Sequence, residues 1–136
     1  MLLEIQKTQA YPDSPVITDA EAAAMARVVV NLFAKWQITD AEACQILGGL
    51  GMRTYARWKK GEPGRIDRDL ATRLSLLMGI HKGLRYLFSD PARGYRWIKA
   101  PNEVFSGDAP LSVMLEGSMF ALVRIRSYLD AERGSW

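Results

Sequence analysis

The chain is poor in the side chains that do chemistry: among 136 residues there is one cysteine, Cys44, and one histidine, His81. A single cysteine excludes an intrachain disulfide and fits a reducing compartment, with Cys44 read as a small buried apolar residue. A single histidine with no second imidazole, cysteine pair or carboxylate cluster beside it makes a poor metal ligand, so His81 reads as a surface or half-buried helix residue. The two fall on different expected elements, which leaves no nucleophile beside a base. Gly48-Gly49-Leu50-Gly51 lacks both the preceding strand and the Lys-Ser/Thr ending of a phosphate-binding loop. Asp67 and Asp69 read as charges favoured at a helix start. No catalytic, cofactor or metal site is therefore expected, and the chain is not read as an enzyme. No apolar run approaches the roughly 20 residues that cross a bilayer, and Met1-Leu2-Leu3-Glu4 lacks the basic start of a secretory signal, so a cytoplasmic, non-membrane protein is expected. Internal repeats and low-complexity tracts are absent too.

Charge is present but unevenly spread. The net charge is +3, yet residues 1–51 stand at −3, residues 52–99 at +8 and residues 101–136 at −2. A local basic excess of this kind suits a polyanionic partner, because each cation placed on a phosphate releases counterions. It equally suits a solvated helix face.

Local signals give an all-α chain. The stretch up to Val16, with Pro12 and Pro15, has no sustained period and reads as a flexible arm over residues 1–17. Thr18 with Glu21 and Thr39 with Glu42 form two capping boxes, which start two helices that meet near Gln37-Ile38. Ala22, Met25, Val29, Leu32 and Trp36 mark the buried face of the first helix; Ala43, Ile46 and Leu47 mark that of the second. The glycines at 48, 49 and 51 end the second helix, with Leu50 turned inward. Met52 to Lys60 is a short helix with Tyr55 and Trp58 as its apolar residues, stopped by Gly61 and Pro63. Its start lacks a capping side chain unless Thr54 supplies a shifted one.

A short helix, a glycine turn and a basic helix are the parts of a helix-turn-helix over residues 18–66. The string Gly51-Met52-Arg53-Thr54-Tyr55-Ala56-Arg57-Trp58-Lys59-Lys60-Gly61 is similar to the recognition helix of Xre-type regulators. In that docking Arg53, Thr54 and Arg57 are placed for base edges, while Lys59, Lys60 and Arg65 suit phosphates. A helical hairpin with a solvated basic face accounts for the same residues without DNA.

Residues 67–136 read as a second helical unit. Asp67 to Phe88 is the longest helix, with Gly79 and Gly83 permitting a bend. Asp90-Pro91 starts a short helix in which Arg93, Arg96 and Lys99 extend the basic surface. Pro101 holds Ala100 extended, Gly107 and Pro110 suit a turn into a helix ending at Gly117, and a last helix starts near Ser118. That helix presents Met119, Leu122, Val123, Arg126 and Leu129 along one face.

The order Trp97-Ile98-Lys99-Ala100-Pro101-Asn102-Glu103-Val104-Phe105, then Ser106-Gly107-Asp108-Ala109-Pro110-Leu111, then Tyr128-Leu129-Asp130 and Gly134-Ser135-Trp136, resembles the toxin-binding domain of the Xre/MbcA/ParS antitoxins. With the helix-turn-helix, the resemblance spans about residues 20–136. It implies an antitoxin whose partner is a RES-domain toxin, an NAD-consuming or ADP-ribosylating enzyme, together with binding to operator DNA as a homodimer. In that family the C-terminal end lies against the toxin's active-site cleft, which here implies Tyr128, Asp130, Glu132, Arg133 and Trp136. Trp136 also fits a mobile or core-packed terminus, and Trp97, Asn102, Phe105 and Leu111 read as residues that shape the domain. A plain helix-turn-helix transcriptional regulator without a toxin is the alternative.

Overall fold

The computed structural model describes residues 16–134. Most of the expected N-terminal arm, and Trp136, lie outside the described residues. Within them the chain is all-α, with no strand: α1 (Asp19–Lys35), α2 (Asp40–Ile46), α3 (Met52–Lys59), α4 (Arg68–Leu87), α5 (Pro91–Lys99), α6 (Pro110–Met114) and α7 (Met119–Glu132), with one 3-10 turn at Glu103–Phe105.

Helix starts follow from local chemistry. Thr18 accepts from the Glu21 N–H at 3.1 Å while Glu21 accepts from the Thr18 N–H at 2.9 Å, and Thr39 and Glu42 repeat the arrangement. Each box satisfies two backbone donors that a helix start leaves unpaired. Asp67, Asp90 and Ser118 cap α4, α5 and α7 in the simpler one-sided way. The start of α3 is different. Its N-cap is Gly51, with no side-chain bond, so Thr54 does not act as a shifted cap and the helix begins at Met52.

Packing is organised around α4, which lies against α1 on one side and α7 on the other. Leu74, Leu77 and Ile80 on α4 are fully buried, as are Ala26 and Val29 on α1 and Ala121, Leu122 and Ile125 on α7. One expectation is corrected here, the inward face of α7, while the two glycines of α4 gain a packing role. α4 runs as one helix through Gly79 and Gly83, as expected. The two glycines open room for α7, because a Cβ on Gly79 would stand 2.6 Å from the Arg126 guanidinium and one on Gly83 would stand 3.0 Å from Leu129 Cβ. The inward face of α7 is shifted: Ala121 and Ile125 point into the core with Leu122 and Leu129, while Val123 is exposed and Arg126 is half-buried.

Arg73, on α4, ties the end of α2 to the turn before α7. Its Nη1 donates to the carbonyl of Ile46 at the end of α2 (3.3 Å) and to that of Gly117 between α6 and α7 (2.7 Å). Its Nε pairs with Asp69 one turn earlier at 3.3 Å, and only 11% of the side chain is exposed. Gly48 makes this possible twice over. It takes φ +83, which only glycine adopts without strain, and a Cβ there would stand 2.7 Å from Arg73 Cζ. Gln45 adds a bond from its side-chain amide to the carbonyl of Leu115.

The α4–α7 seam separates two otherwise similar substitutions. Gly83→Ala forces Leu129, a fully packed residue, to move; overpacking costs about 1–3 kcal/mol, more than the roughly 1 kcal/mol that alanine returns to a helix. Gly79→Ala meets only the movable end of Arg126. Urea unfolding should show a net loss for Gly83→Ala and a near-neutral or stabilised Gly79→Ala; equal effects would refute a glycine seam.

Candidate nucleic-acid and partner-binding faces

The basic helix α3 divides into two opposed faces. At 100° per residue, Tyr55 and Trp58 fall together on one side, where both are buried with rings 6.2 Å apart. Arg53, Arg57 and Lys60 fall together on the other, all exposed and without an ion-pair partner among the described residues. The six expected DNA-contacting residues are therefore not equivalent. Thr54 is half-buried on a flank. Lys59 reaches back to Asp40 on α2 and sits 6.0 Å from the Tyr55 ring centroid, so its charge is partly spent on joining the two helices. Arg65 stands apart, lining a groove between the starts of α1 and α4 with Asp19, Asp67 and Arg68.

Met52 is a residue that sequence reasoning passed over. It heads α3 with 54% of its surface exposed, and its Sδ lies 3.5 Å from Cys44 Sγ. An apolar side chain at the start of such a helix can meet a thymine methyl group. Burial raises the thiol of Cys44 and, more strongly, the phenol of Tyr55, which is pushed up to about 12; Asp40 adds to both shifts. Both groups are neutral at physiological pH and serve as packing.

Basic residues on α5 do not extend the α3 stripe. Arg93 lies over the Phe88 ring at 5.7 Å, while Arg96 and Lys99 gather with Lys35 around the end of α1, in a concavity to which no α3 residue contributes.

The C-terminal face is built on an aromatic trio. Trp97 on α5 stacks on Tyr128 of α7 with centroids 6.0 Å apart and planes 7° from parallel, and Phe105 meets both rings edge-on. Offset or edge-on pairs of this kind each add about 0.5–1.5 kcal/mol beyond area burial. The turn between α5 and α6 closes on Asn102: its side chain accepts from the Val104 N–H, and its carbonyl accepts from the N–H groups of Phe105 and Gly107. Ser106 takes a left-handed φ of 59 to complete it. Pro101 holds Ala100 extended at φ −91, ψ 141.

Of the expected partner-contacting residues, the described four all make internal contacts. The Tyr128 hydroxyl donates to Glu132 at 2.7 Å, which raises the phenol's pKa, and Asp130 pairs with Arg126 at 3.6 Å. The Arg133 guanidinium stands 4.5 Å from the centre of the Tyr86 ring. Trp136 lies outside the described residues. What periodicity did not reveal is the outer stripe of α7, where Phe120 is 70% exposed and Val123 39% exposed, followed on the same side by exposed Ser127 and Ala131.

Among the described residues no group of three or more His, Cys, Asp or Glu could hold a metal, and no helix is long and apolar enough to cross a membrane. His81, half-buried on α4, has its pKa lowered first by burial and then by the positive charges of Arg85 and Lys35. The folded state thus binds fewer protons here than the unfolded chain, whose histidine titrates near 6.5. Its contribution to stability is complete above that value and falls away as pH drops through the lower folded value. Unfolding free energy measured from pH 7.5 to 5 should fall less steeply for His81→Gln than for the unaltered chain; parallel curves would remove His81 from the account.

Comparison with known proteins gives two adjacent family matches. Residues 15–79 match the antitoxin Xre-like helix-turn-helix domain, and residues 83–134 match the antitoxin Xre/MbcA/ParS C-terminal toxin-binding domain. Across 121 residues the chain is 35% identical to y4oB of Sinorhizobium fredii, described as uncharacterized, covering 89% of this chain and 93% of that protein. The two family matches meet within α4, between Gly79 and Gly83.

Proposed function

The chain belongs to the antitoxins that join an Xre-like helix-turn-helix to an Xre/MbcA/ParS toxin-binding domain, and on that premise we propose that it silences a RES-domain toxin by covering its active-site cleft. The observation that carries this reading is the family match over residues 83–134 combined with the exposed Phe120 and Val123 that this segment presents. Exposed apolar side chains on an otherwise well-packed helix suit burial against a partner. In this account the outer stripe of α7 seats the toxin. Tyr128, Asp130, Glu132, Arg133 and the terminal Trp136 lie toward the cleft that binds NAD. The carboxylates there can pair with cations that hold NAD phosphates, and a large aromatic can displace water over a wide area. Inhibition needs no chemistry from the antitoxin itself.

The second part of the proposal concerns DNA. Operator binding runs through the Arg53, Arg57 and Lys60 stripe, with Met52 and Thr54 at its edges and Lys59 and Arg65 on flanking phosphates. Arginine offers two parallel hydrogen bonds to guanine. Paired half-sites make a homodimer the working assembly. The pair acts in the cytoplasm, where both operator and NAD are found. Residues 18–66 form the reading unit and residues 67–136 the holding unit, with an arm over 1–17.

Co-expression with the neighbouring toxin gene, following cellular NAD, growth and co-purification, tests the first part. The full chain should rescue and co-purify. Phe120→Asp, exposed and therefore tolerated by the fold, should weaken the complex by about tenfold or more. A chain ending at Arg133 keeps all of α7 and should bind the toxin but protect poorly. Rescue by all three forms alike would contradict occlusion, and absence of any complex would leave an operator-binding regulator. For the second part, Arg57→Gln should cost about 1–3 kcal/mol on operator DNA, and Lys60→Gln should reduce the salt slope by about 0.9. Unchanged binding in both would refute the α3 stripe.

A further inference from the structure

We propose that the concavity between the end of α1 and α5 is a binding site for the phosphate group of a nucleotide, separate from the α3 stripe. The hollow measures about 510 Å³ and is lined by Lys35, Trp36, Gln37, Tyr95, Arg96 and Lys99, with small alanines completing its wall. Three cations from two helices converge on it, and none of its lining residues is acidic. Three cations of this chain are ion-paired, Lys59 with Asp40, Arg73 with Asp69 and Arg126 with Asp130, and none of them lines the hollow. Lys35 and Arg96 have no such partner among the described residues.

The walls are held rather than loose. Gln37 takes a left-handed φ of 57, and its carbonyl accepts from Lys99 Nζ at 2.9 Å, which pins α5 to the end of α1. An ammonium group has three donors, so two remain for a ligand. Trp36 forms part of the lining while being only 1% exposed, and its indole N–H has no partner among the described residues. Leaving a buried donor unpaired is costly, and such groups call for a physical explanation. The positive field reaches beyond the hollow, since Lys35 helps to lower the pKa of half-buried His81.

The ligand class follows from this inventory. Donors and cations dominate, which selects an anion, and guanidinium with ammonium is the combination that grips phosphate oxygens. Tyr95 and the alanines give an apolar side on which a flat base can lie. The phosphate can come from a free nucleotide or from the backbone of bound DNA.

Titration of the 15N-labelled full chain with ADP, with pyrophosphate and with a random-sequence DNA duplex tests the proposal and separates those sources. Backbone signals of Lys35 to Gln37 and Tyr95 to Ala100, with the Trp36 indole N–H, should move saturably. Lys35→Gln and Arg96→Gln, both exposed positions, should each weaken binding by about tenfold, while Arg93→Gln on the same helix should not. Saturation by ADP or pyrophosphate without movement of α3 assigns the site to free phosphates. Movement with duplex alone, with a salt slope lowered by about 0.9 in Arg96→Gln, assigns it to strand phosphates. The proposal is overturned if no probe moves these signals saturably, or if Arg93→Gln weakens binding as much as Arg96→Gln.

Discussion

The close approach of α7 to α4 at Gly83 is the contact on which the rest of this structure depends. Without a Cβ at that position α7 can sink until Leu129 and Ile125 are fully buried. That depth sets the rotation of α7. Once Ala121, Leu122, Ile125 and Leu129 face inward, Phe120 and Val123 must face out and Tyr128 must fall beside Trp97. Which residues α7 exposes is therefore determined by a packing decision made on its far side.

Because α4 also packs on α1, the same helix supports the segment that presents α3. Arg73 reinforces this arrangement with one guanidinium that holds the end of α2, the turn before α7 and its own helix at once. Hydrogen bonds from a charged donor contribute about 1.5–3 kcal/mol each, and lysine could not span the same fork of acceptors. α3 and α7 are thus carried on a shared support, and the boundary between the two family matches falls inside that support rather than in a linker.

Much of this was legible in the sequence where the signal was local. Capping boxes act over three residues, so Thr18-Glu21 and Thr39-Glu42 predicted helix starts directly. In α3 the aromatic and basic residues alternate in a way that permits one assignment of inside and outside. The face of α7 was not legible, since two apolar stripes share Leu122 and Leu129 and differ only in taking Val123 or Ala121 and Ile125 with them. Periodicity cannot choose between them; the cleft on α4 does. Gly79 and Gly83 read as freedom to bend because a missing side chain carries no record of what fills its place. Arg73 was opaque for a similar reason: its acceptors are backbone carbonyls 27 and 44 residues away, and a carbonyl has no sequence identity.

Residues 18–134 fold as one body around α4, so that neither face can be built without the other. Native-state hydrogen exchange read residue by residue through α1, α4 and α7 tests this most directly. The most protected amides of all three helices should open with one free energy equal to that of global unfolding and show the same dependence on denaturant. Separate openings, with α7 and the C-terminal half of α4 released while α1 to α3 remain protected, would contradict it.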